Sequence, residues 1–253
     1  MGILEIILAG LVVCLAGVAQ SAIGFGYALF STPLLLWIGV PLPTAIALVA
    51  TCSMIQSMIG ARRLRADVPW RTALVATSVR EAAVIAGLIV LRALAKLDTA
   101  YIKAVVGAVL CALVALQFVW RPEPKPAMHW GWAGLSFTSS GFLAGVTGMG
   151  GPPLVLWSMA HDWPARRTRG FLFATFATAI PVQIAIMVFS FGGPVLRGAG
   201  LGIAFAPLVF LGAAVGLPVG NRMGRDKLRA VAYLVLLVIG AGAVVPAALR
   251  HLV

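Results

Sequence analysis

The sequence predicts an all-α polytopic membrane protein with two inverted repeats, each a Gly/Pro-broken helical hairpin followed by three transmembrane helices. The chain is 61% hydrophobic and only 10% charged, and its mean hydropathy of +1.04 lies outside the range of soluble domains. Apolar runs recur from end to end, and each is about 20 residues long, the length of a membrane-spanning helix. Two clusters of Gly and Pro interrupt these runs at matching places in the two halves, at 24–37 and 145–157.

The second cluster, GVTGMGGPPLVLW, is the denser one and indicates a break within the membrane. Its glycines Gly148, Gly150 and Gly151 lead into Pro152 and Pro153. Glycine and proline at this density interrupt a helix, and in hydrocarbon the freed backbone groups must be satisfied by protein or line a cavity. Such broken helices are where many transporters hold their substrates, so these five residues are candidate binding residues.

The first cluster, GFGYALFSTPLLLW, has the same layout. Pro33 and the apolar residues after it correspond to Pro153 and its successors, and Gly24 and Gly26 form the break. Proline suits the first turn of a new helix, whose free N–H groups and positive dipole end favour an anion. As a helix, 3–23 would span ~31 Å and 27–39 only ~20 Å, so we expect the breaks to lie within the bilayer.

These signals divide the chain into two repeats. Repeat 1 is 1–120, with hairpin 3–40 and helices 44–61, 70–91 and 99–120. A proline-rich linker, 121–128, precedes repeat 2, which is 129–253, with hairpin 129–160 and helices 170–191, 199–221 and 230–249.

The basic residues predict the orientation. Thirteen of the 19 Lys and Arg residues lie in four loops: 62–71, 121–128, 162–169 and 222–229. Basic loops face the cytoplasm, so the net charge of +12 indicates a membrane surface and no nucleic acid. Both termini are then outside, in the periplasm, and each hairpin must leave and return to one side. Whether the hairpins are re-entrant or fully spanning is left open.

Hydroxyl and amide side chains near the breaks are further candidate donors to an oxyanion. Thr32 and Thr147 flank the two breaks, Thr51 and Thr175 lie at matching places in the helices that follow, and Gln56 adds an amide. The alternative is that the hydroxyls bond the carbonyl one turn back and that the amide packs between helices.

Arg80 and Glu81 lie in the middle of an apolar run, where charged groups are energetically unfavourable and usually functional. The Arg80 fork could bind the anion. Glu81 could carry a coupling proton, because burial favours the neutral form of a carboxyl group. Neighbours on a helix point in different directions, so we expect no ion pair between them. The alternatives are partners on other helices, or a shifted helix whose Arg80 snorkels to the interface.

At the two breaks the chain resembles the TauE/SafE family of membrane anion transporters, also described as sulfite exporter-like or toluene sulfonate uptake permeases. The resemblance rests on 24–37 and on GFLAGVTGMGGPPLVLW at 141–157, and length and repeat order agree along the chain. It implies transport of a small organic or sulfur oxyanion, such as sulfite, sulfoacetate or another sulfonate or carboxylate, across the bacterial inner membrane. As a separate hypothesis, we expect an ion gradient to drive the transport, with protons carried by Glu81.

Other function classes are disfavoured. A membrane-embedded enzyme would need a paired acid and base or a metal cluster in the core, and the sequence shows neither, nor a GxxxxGK[ST] motif for ATP. We therefore expect no enzymatic activity, no cofactor and no metal. The expected partners are the anion, a coupling proton and the lipid bilayer, with homo-oligomerisation left open. A passive anion channel and an assembly protein without transport remain as alternatives.

Overall fold

A computed structural model describes residues 2–23, 26–119, 123–125, 128–223 and 234–242. As predicted, these residues are mostly helical and contain no strand. The helices are α1 (Ile3–Ile23), α2 (Tyr27–Ile38), α3 (Leu42–Arg63), α4 (Trp70–Leu94), α5 (Thr99–Val119), α6 (Trp130–Thr147), α7 (Gly151–Met159), α8 (Ala165–Phe191), α9 (Gly193–Ala204), α10 (Ala206–Met223) and α11 (234–242).

Several of these helices are long and apolar enough to cross a membrane. Within the described residues, α1, α3, α4, α5 and α8 each meet this condition, and α9 and α10 give a sixth span if the bent pair is counted as one. The prediction of a polytopic helical membrane protein is therefore confirmed. The predicted helix 230–249 lies outside the described residues except for α11.

The predicted helix 199–221 differs most from the structure, which has two helices meeting at a 52° bend. Pro207 follows the junction and has no N–H to donate to the turn before it, a common cause of such bends. Helix α9 also begins earlier than predicted, because Pro194 occupies its first turn and Gly198 packs against the Thr44 carbonyl of α3. Of the glycines in 192–198, Gly198 serves close packing, whereas Gly192, with φ +62°, forms the turn between α8 and α9.

The other helix boundaries move by five residues or fewer. Helix α3 begins two residues before the predicted 44, and α4 runs three residues past the predicted 91. Helix α8 begins at Ala165, before the predicted 170, because Pro164 starts it. Of the linker 121–128, residues 123–125 and 128 are described.

The helices of the two halves interleave. The most extensive packing joins α4 to α6 and α1 to α10, and α3 packs against both α8 and α9 while α4 packs against α8. If α1–α5 correspond in order to α6, α7, α8, the α9–α10 pair and α11, each of these contacts between halves has a counterpart. A two-fold axis relating the halves would produce this pattern. The division into inverted repeats stays a prediction, which the packing supports.

Glycines allow the two closest crossings. A side chain at Gly87 of α4 would meet the Phe142 carbonyl and lie 2.9 Å from the Cα of Gly145 on α6. A side chain at Gly212 of α10 would meet the Cys14 carbonyl and lie 3.2 Å from the Cα of Gly17 on α1. Small residues at such places let membrane helices approach closely.

Three of the four basic loops share one face. Arg166 Nε lies 3.0 Å from Asp67 Oδ2, which brings 162–169 beside 62–71. Lys125 N–H donates to the Ala160 carbonyl at 2.9 Å, and Asp162 N–H donates to the Lys125 carbonyl at 3.2 Å, which brings in 121–128. The fourth loop, 222–229, lies outside the described residues apart from its first two. The side of the membrane on which this basic face lies stays a prediction.

The same contacts define the second hairpin. Because Lys125 precedes α6 and Ala160 follows α7, the chain leaves and returns to the basic face. Helix α7 has nine residues and rises ~14 Å, about half of a ~30 Å hydrocarbon core. The break between α6 and α7 therefore lies deep in the protein.

Candidate anion-binding site

A cavity of about 70 Å³ lies where the two breaks meet. Gly26 and the first residues of α2 line it from the first break, and Gly148, Gly150, Gly151 and Pro152 line it from the second. A cavity of this size holds a small anion or a few water molecules. The two clusters of Gly and Pro, far apart in the sequence, thus border a common space.

Left-handed glycines form both breaks. Gly148 has φ +78° and ends α6, and Gly26 has φ +103° and precedes α2. Residues with a side chain adopt this conformation at an energetic cost. The chain can therefore reverse at both places without strain.

Side chains of α6 satisfy the backbone freed by the second break. Ser140 Oγ donates to the Gly150 carbonyl at 2.5 Å, and Ser136 Oγ donates to the Pro153 carbonyl at 2.7 Å. Thr147 Oγ1 accepts from the Met149 N–H at 3.3 Å. These bonds hold the irregular backbone in place, as membrane depth requires.

Two helix N-termini border the cavity. Gly151 and Pro152 open α7, and Tyr27, Ala28 and Leu29 open α2. The first N–H groups of a helix have no partner within it, and the helix dipole places partial positive charge there. In α2 these are the N–H groups of its first three residues, whereas α7 offers that of Gly151, because the two prolines after it have none. The cavity is therefore suited to an anion from two directions.

Arg80 of α4 lines the cavity and is 3% exposed. Its Nη2 donates to Gln183 Oε1 of α8 at 3.1 Å, and its guanidinium carbon lies 5.6 Å from the centre of the Phe176 ring. Gln183 Nε2 in turn donates to the Ala144 carbonyl at 3.2 Å. Arg80 Nε has no partner among the described residues. A buried guanidinium with a spare donor thus stands at the wall of the cavity.

Glu81 lies beside Arg80 and does not line the cavity. Its Oε1 is 3.3 Å from Arg80 Nη1, so the expectation of no ion pair within the helix was wrong. Their Cβ atoms diverge, but the long Arg80 side chain reaches around the helix to its neighbour. Glu81 Oε2 has no partner among the described residues.

Several other predicted site residues lie away from the cavity wall. They are Thr32, Pro33, Thr51, Gln56, Thr147, Pro153 and Thr175. Thr51 Oγ1 donates to the Ala47 carbonyl at 2.8 Å and Thr147 Oγ1 to the Leu143 carbonyl at 3.0 Å, the alternative that we considered for both. Gln56 Nε2 donates to Ser21 Oγ on α1 at 2.9 Å, a contact between helices. Gly24 lies outside the described residues.

Sequence reasoning missed some of the lining. Gln183 lies two residues after Pro181 in α8, and the sequence leaves interhelical packing, slightly favoured, or substrate binding as its role. In the structure it accepts a hydrogen bond from Arg80 and borders the cavity. Phe176 and Ser53 also line the cavity. An amide in the middle of an apolar helix is the one signal that could have identified Gln183.

No group of three or more His, Cys, Asp or Glu able to hold a metal occurs among the described residues. Cys14, Cys52 and Cys111 carry free thiols.

Comparison with known proteins gives one match, and that match is to a protein family. No curated protein and no solved structure matches the chain significantly. The family described as "Sulfite exporter TauE/SafE", whose members are membrane transporters and not enzymes, matches residues 9–243. Since this match covers nearly the whole chain, the protein belongs to the TauE/SafE family of membrane anion transporters.

Proposed function

We propose that this transporter carries a small oxyanion, such as sulfite, sulfoacetate or another sulfonate or carboxylate, across the bacterial inner membrane. The anion binds in the cavity between the two breaks. The observation that supports this most directly is the buried Arg80, which lines that cavity and has an Nε–H without a partner among the described residues.

The chemistry of the lining favours an oxyanion. Its charged side chain is a cation, its amides Gln20 and Gln183 can donate, and no carboxylate is among the lining residues. A sulfite or sulfonate group offers only acceptor oxygens. It would receive hydrogen bonds from Arg80 and from the N-termini of α2 and α7.

Charge balance supports proton coupling through Glu81. Arg80 and Glu81 form a buried pair that is neutral overall when both are ionised. An anion entering beside Arg80 would leave one uncompensated negative charge in a buried site, which is unfavourable. A proton on Glu81 removes that charge, so we infer that anion and proton move together.

Arg80→Lys tests the anion site. Lysine keeps the charge but loses the planar fork, so we expect proteoliposomes to take up sulfite or sulfoacetate with KM raised about tenfold or more. Arg65→Lys, in a basic loop away from the cavity, is the control and is expected to leave KM unchanged. Equal KM values for the wild type and Arg80→Lys would show that Arg80 does not bind the anion.

Glu81→Gln tests the coupling. Glutamine cannot bind or release a proton, so uptake by the variant would no longer respond to a pH gradient. Exchange of labelled for unlabelled anion would continue. Wild-type flux that ignores the gradient would favour a passive channel. Gradient-driven uptake by Glu81→Gln would exclude Glu81 as the proton carrier.

The orientation can be tested separately. We place the basic face in the cytoplasm and residue 2 outside. Gly2→Cys, where a side chain meets no atom within 4 Å, is expected to react with an impermeant thiol reagent from the periplasm. Reaction only from the cytoplasm would reverse the topology.

A further inference from the structure

A second, larger pocket lies at the basic face, between the start of α4, the start of α6 and the turn after α7. Its volume is about 460 Å³, against about 70 Å³ for the cavity between the breaks. Arg71 and Met128 bring two of the basic loops to it, and His161 brings the turn after α7. The pocket is several times larger than a cavity for a small oxyanion.

The lining from α4 and α7 carries hydrogen-bond donors that suit an acidic group. Trp157 lines the pocket and is 7% exposed, and its indole Nε1–H has no partner among the described residues. Buried N–H groups in proteins almost always have a hydrogen-bond acceptor, so this indole N–H is suited to donate to an acceptor on a bound molecule. Arg71 adds a guanidinium and Thr72 a hydroxyl. No carboxylate is among the lining residues.

The remaining walls are apolar and reach the lipid-facing surface. Val75 and Phe137 line the pocket beside Trp130. Val75 is 40% exposed and Trp130 is 74% exposed, and exposed apolar side chains of a membrane protein face lipid. Tryptophans at helix ends also mark the headgroup level of the bilayer. The pocket therefore opens to the interface and combines an acidic-group site with an apolar wall.

We propose that this pocket binds an anionic phospholipid. The phosphate would receive hydrogen bonds from Arg71, Thr72 and the Trp157 indole, and the upper part of an acyl chain would lie against Val75 and Phe137. Basic pockets between membrane helices on the cytoplasmic side suit such headgroups. The volume and the opening toward lipid favour a phospholipid over the small anion that the central cavity would hold.

The lipid would also fix the position of α7. Trp157 packs edge-to-face on Phe137 of α6, with ring centres 4.9 Å apart, and lies 5.1 Å from the Phe171 ring of α8. The other end of α7 carries Gly151 and Pro152 to the central cavity. A lipid on Trp157 thus contacts the helix that forms one wall of the central cavity.

The test is a binding titration, so it can fail independently of the transport proposal. The purified protein in a neutral detergent is titrated with phosphatidylglycerol or with phosphatidylcholine, and bound lipid is counted by native mass spectrometry. We expect phosphatidylglycerol to bind at least tenfold more tightly. Trp157→Phe keeps the ring and removes the N–H, and Arg71→Gln removes the charge. Each is expected to weaken phosphatidylglycerol binding about tenfold.

Arg65→Gln is the matched control, because it removes one charge from the loop that also holds Arg71 but does not line the pocket. It is expected to change the affinity less than twofold. Equal affinity for the two lipids, or an equal effect of Arg65→Gln and Arg71→Gln, would overturn the proposal. So would wild-type affinity in Trp157→Phe. Displacement of the lipid by millimolar methanesulfonate would reassign the pocket to a free anion.

Discussion

Gly150 and Gly151 are adjacent glycines at the cavity wall, and alanine should affect them very differently. Gly150 has φ −77°, a conformation open to alanine, so only the available space decides. A Cβ at Gly150 would meet the Ser140 carbonyl and lie 2.7 Å from the Ala144 Cβ, both on α6. A Cβ at Gly151 would have as its nearest neighbour the edge of the Phe176 ring at 3.9 Å, an ordinary contact.

The structure gives a magnitude for Gly150→Ala. Overpacking of this kind costs about 1–3 kcal/mol. Straining the hydrogen bond from Ser140 to the Gly150 carbonyl adds about 1 kcal/mol. The strain would be relieved by displacement of the break. Because the anion would bind the break in its native position, restoring that position at a cost of about 2–4 kcal/mol would lower anion affinity by about thirtyfold to several hundredfold.

The assay is binding of sulfite or sulfoacetate by purified protein, with insertion and helicity checked by gel filtration and circular dichroism. We expect Gly150→Ala to fold and to lose most of its affinity, while Gly151→Ala stays within a few-fold of wild type. Wild-type affinity in Gly150→Ala would show that the second break is not part of the binding site. An equal loss in both variants would refute the steric argument.

Three further changes test the packing, each by thermal unfolding in detergent. Gly87→Ala should destabilise the protein by about 1–3 kcal/mol, because its Cβ would be 2.9 Å from Gly145 Cα. The control Gly134→Ala, whose Cβ would have no atom within 4 Å, should not lower Tm. Equal Tm values for the two variants would contradict the close crossing of α4 and α6. Ser140→Ala should cost about 1–3 kcal/mol by leaving the buried Gly150 carbonyl without its donor; an unchanged Tm would mean that another group replaces the hydroxyl. Asp67→Asn should change stability by less than about 1 kcal/mol, because Arg166 in that pair is 70% exposed; a large loss would show a buried role.

The sequence was a good guide to the breaks because their chemistry is local. Glycine at 148 permits the left-handed turn that ends α6, and the prolines after 151 fix φ and lack an N–H, which suits the first turn of α7. Both boundaries therefore follow from residue type. The charge pattern likewise predicted loops on one face, and the contacts of Asp67 and Lys125 agree with it for three of the four loops. Both inferences rest on rules that need no knowledge of neighbouring helices.

The sequence was a poor guide where a side chain had a choice of partners. Gly198 falls between the predicted helices 170–191 and 199–221, but it lies within α9, and its lack of a side chain allows close contact with α3. Arg80 was expected to diverge from Glu81, but its length lets it reach both Glu81 and Gln183. Thr51 and Thr147 had two chemically reasonable partners, and in the structure each hydroxyl donates to the carbonyl one turn back. Each outcome depends on packing that sequence position does not encode.

The interleaving of the two halves has a consequence for how the chain is made. Helix α1 emerges from the ribosome first, yet the surface around Gly17 that fits so closely against Gly212 must wait until α10 is synthesised. Until then this surface faces lipid or the insertion machinery. Helix α4 likewise waits for α6. An N-terminal half expressed alone would therefore lack its main packing partners and be open to proteolysis, whereas two halves made together as separate chains could assemble into a working transporter.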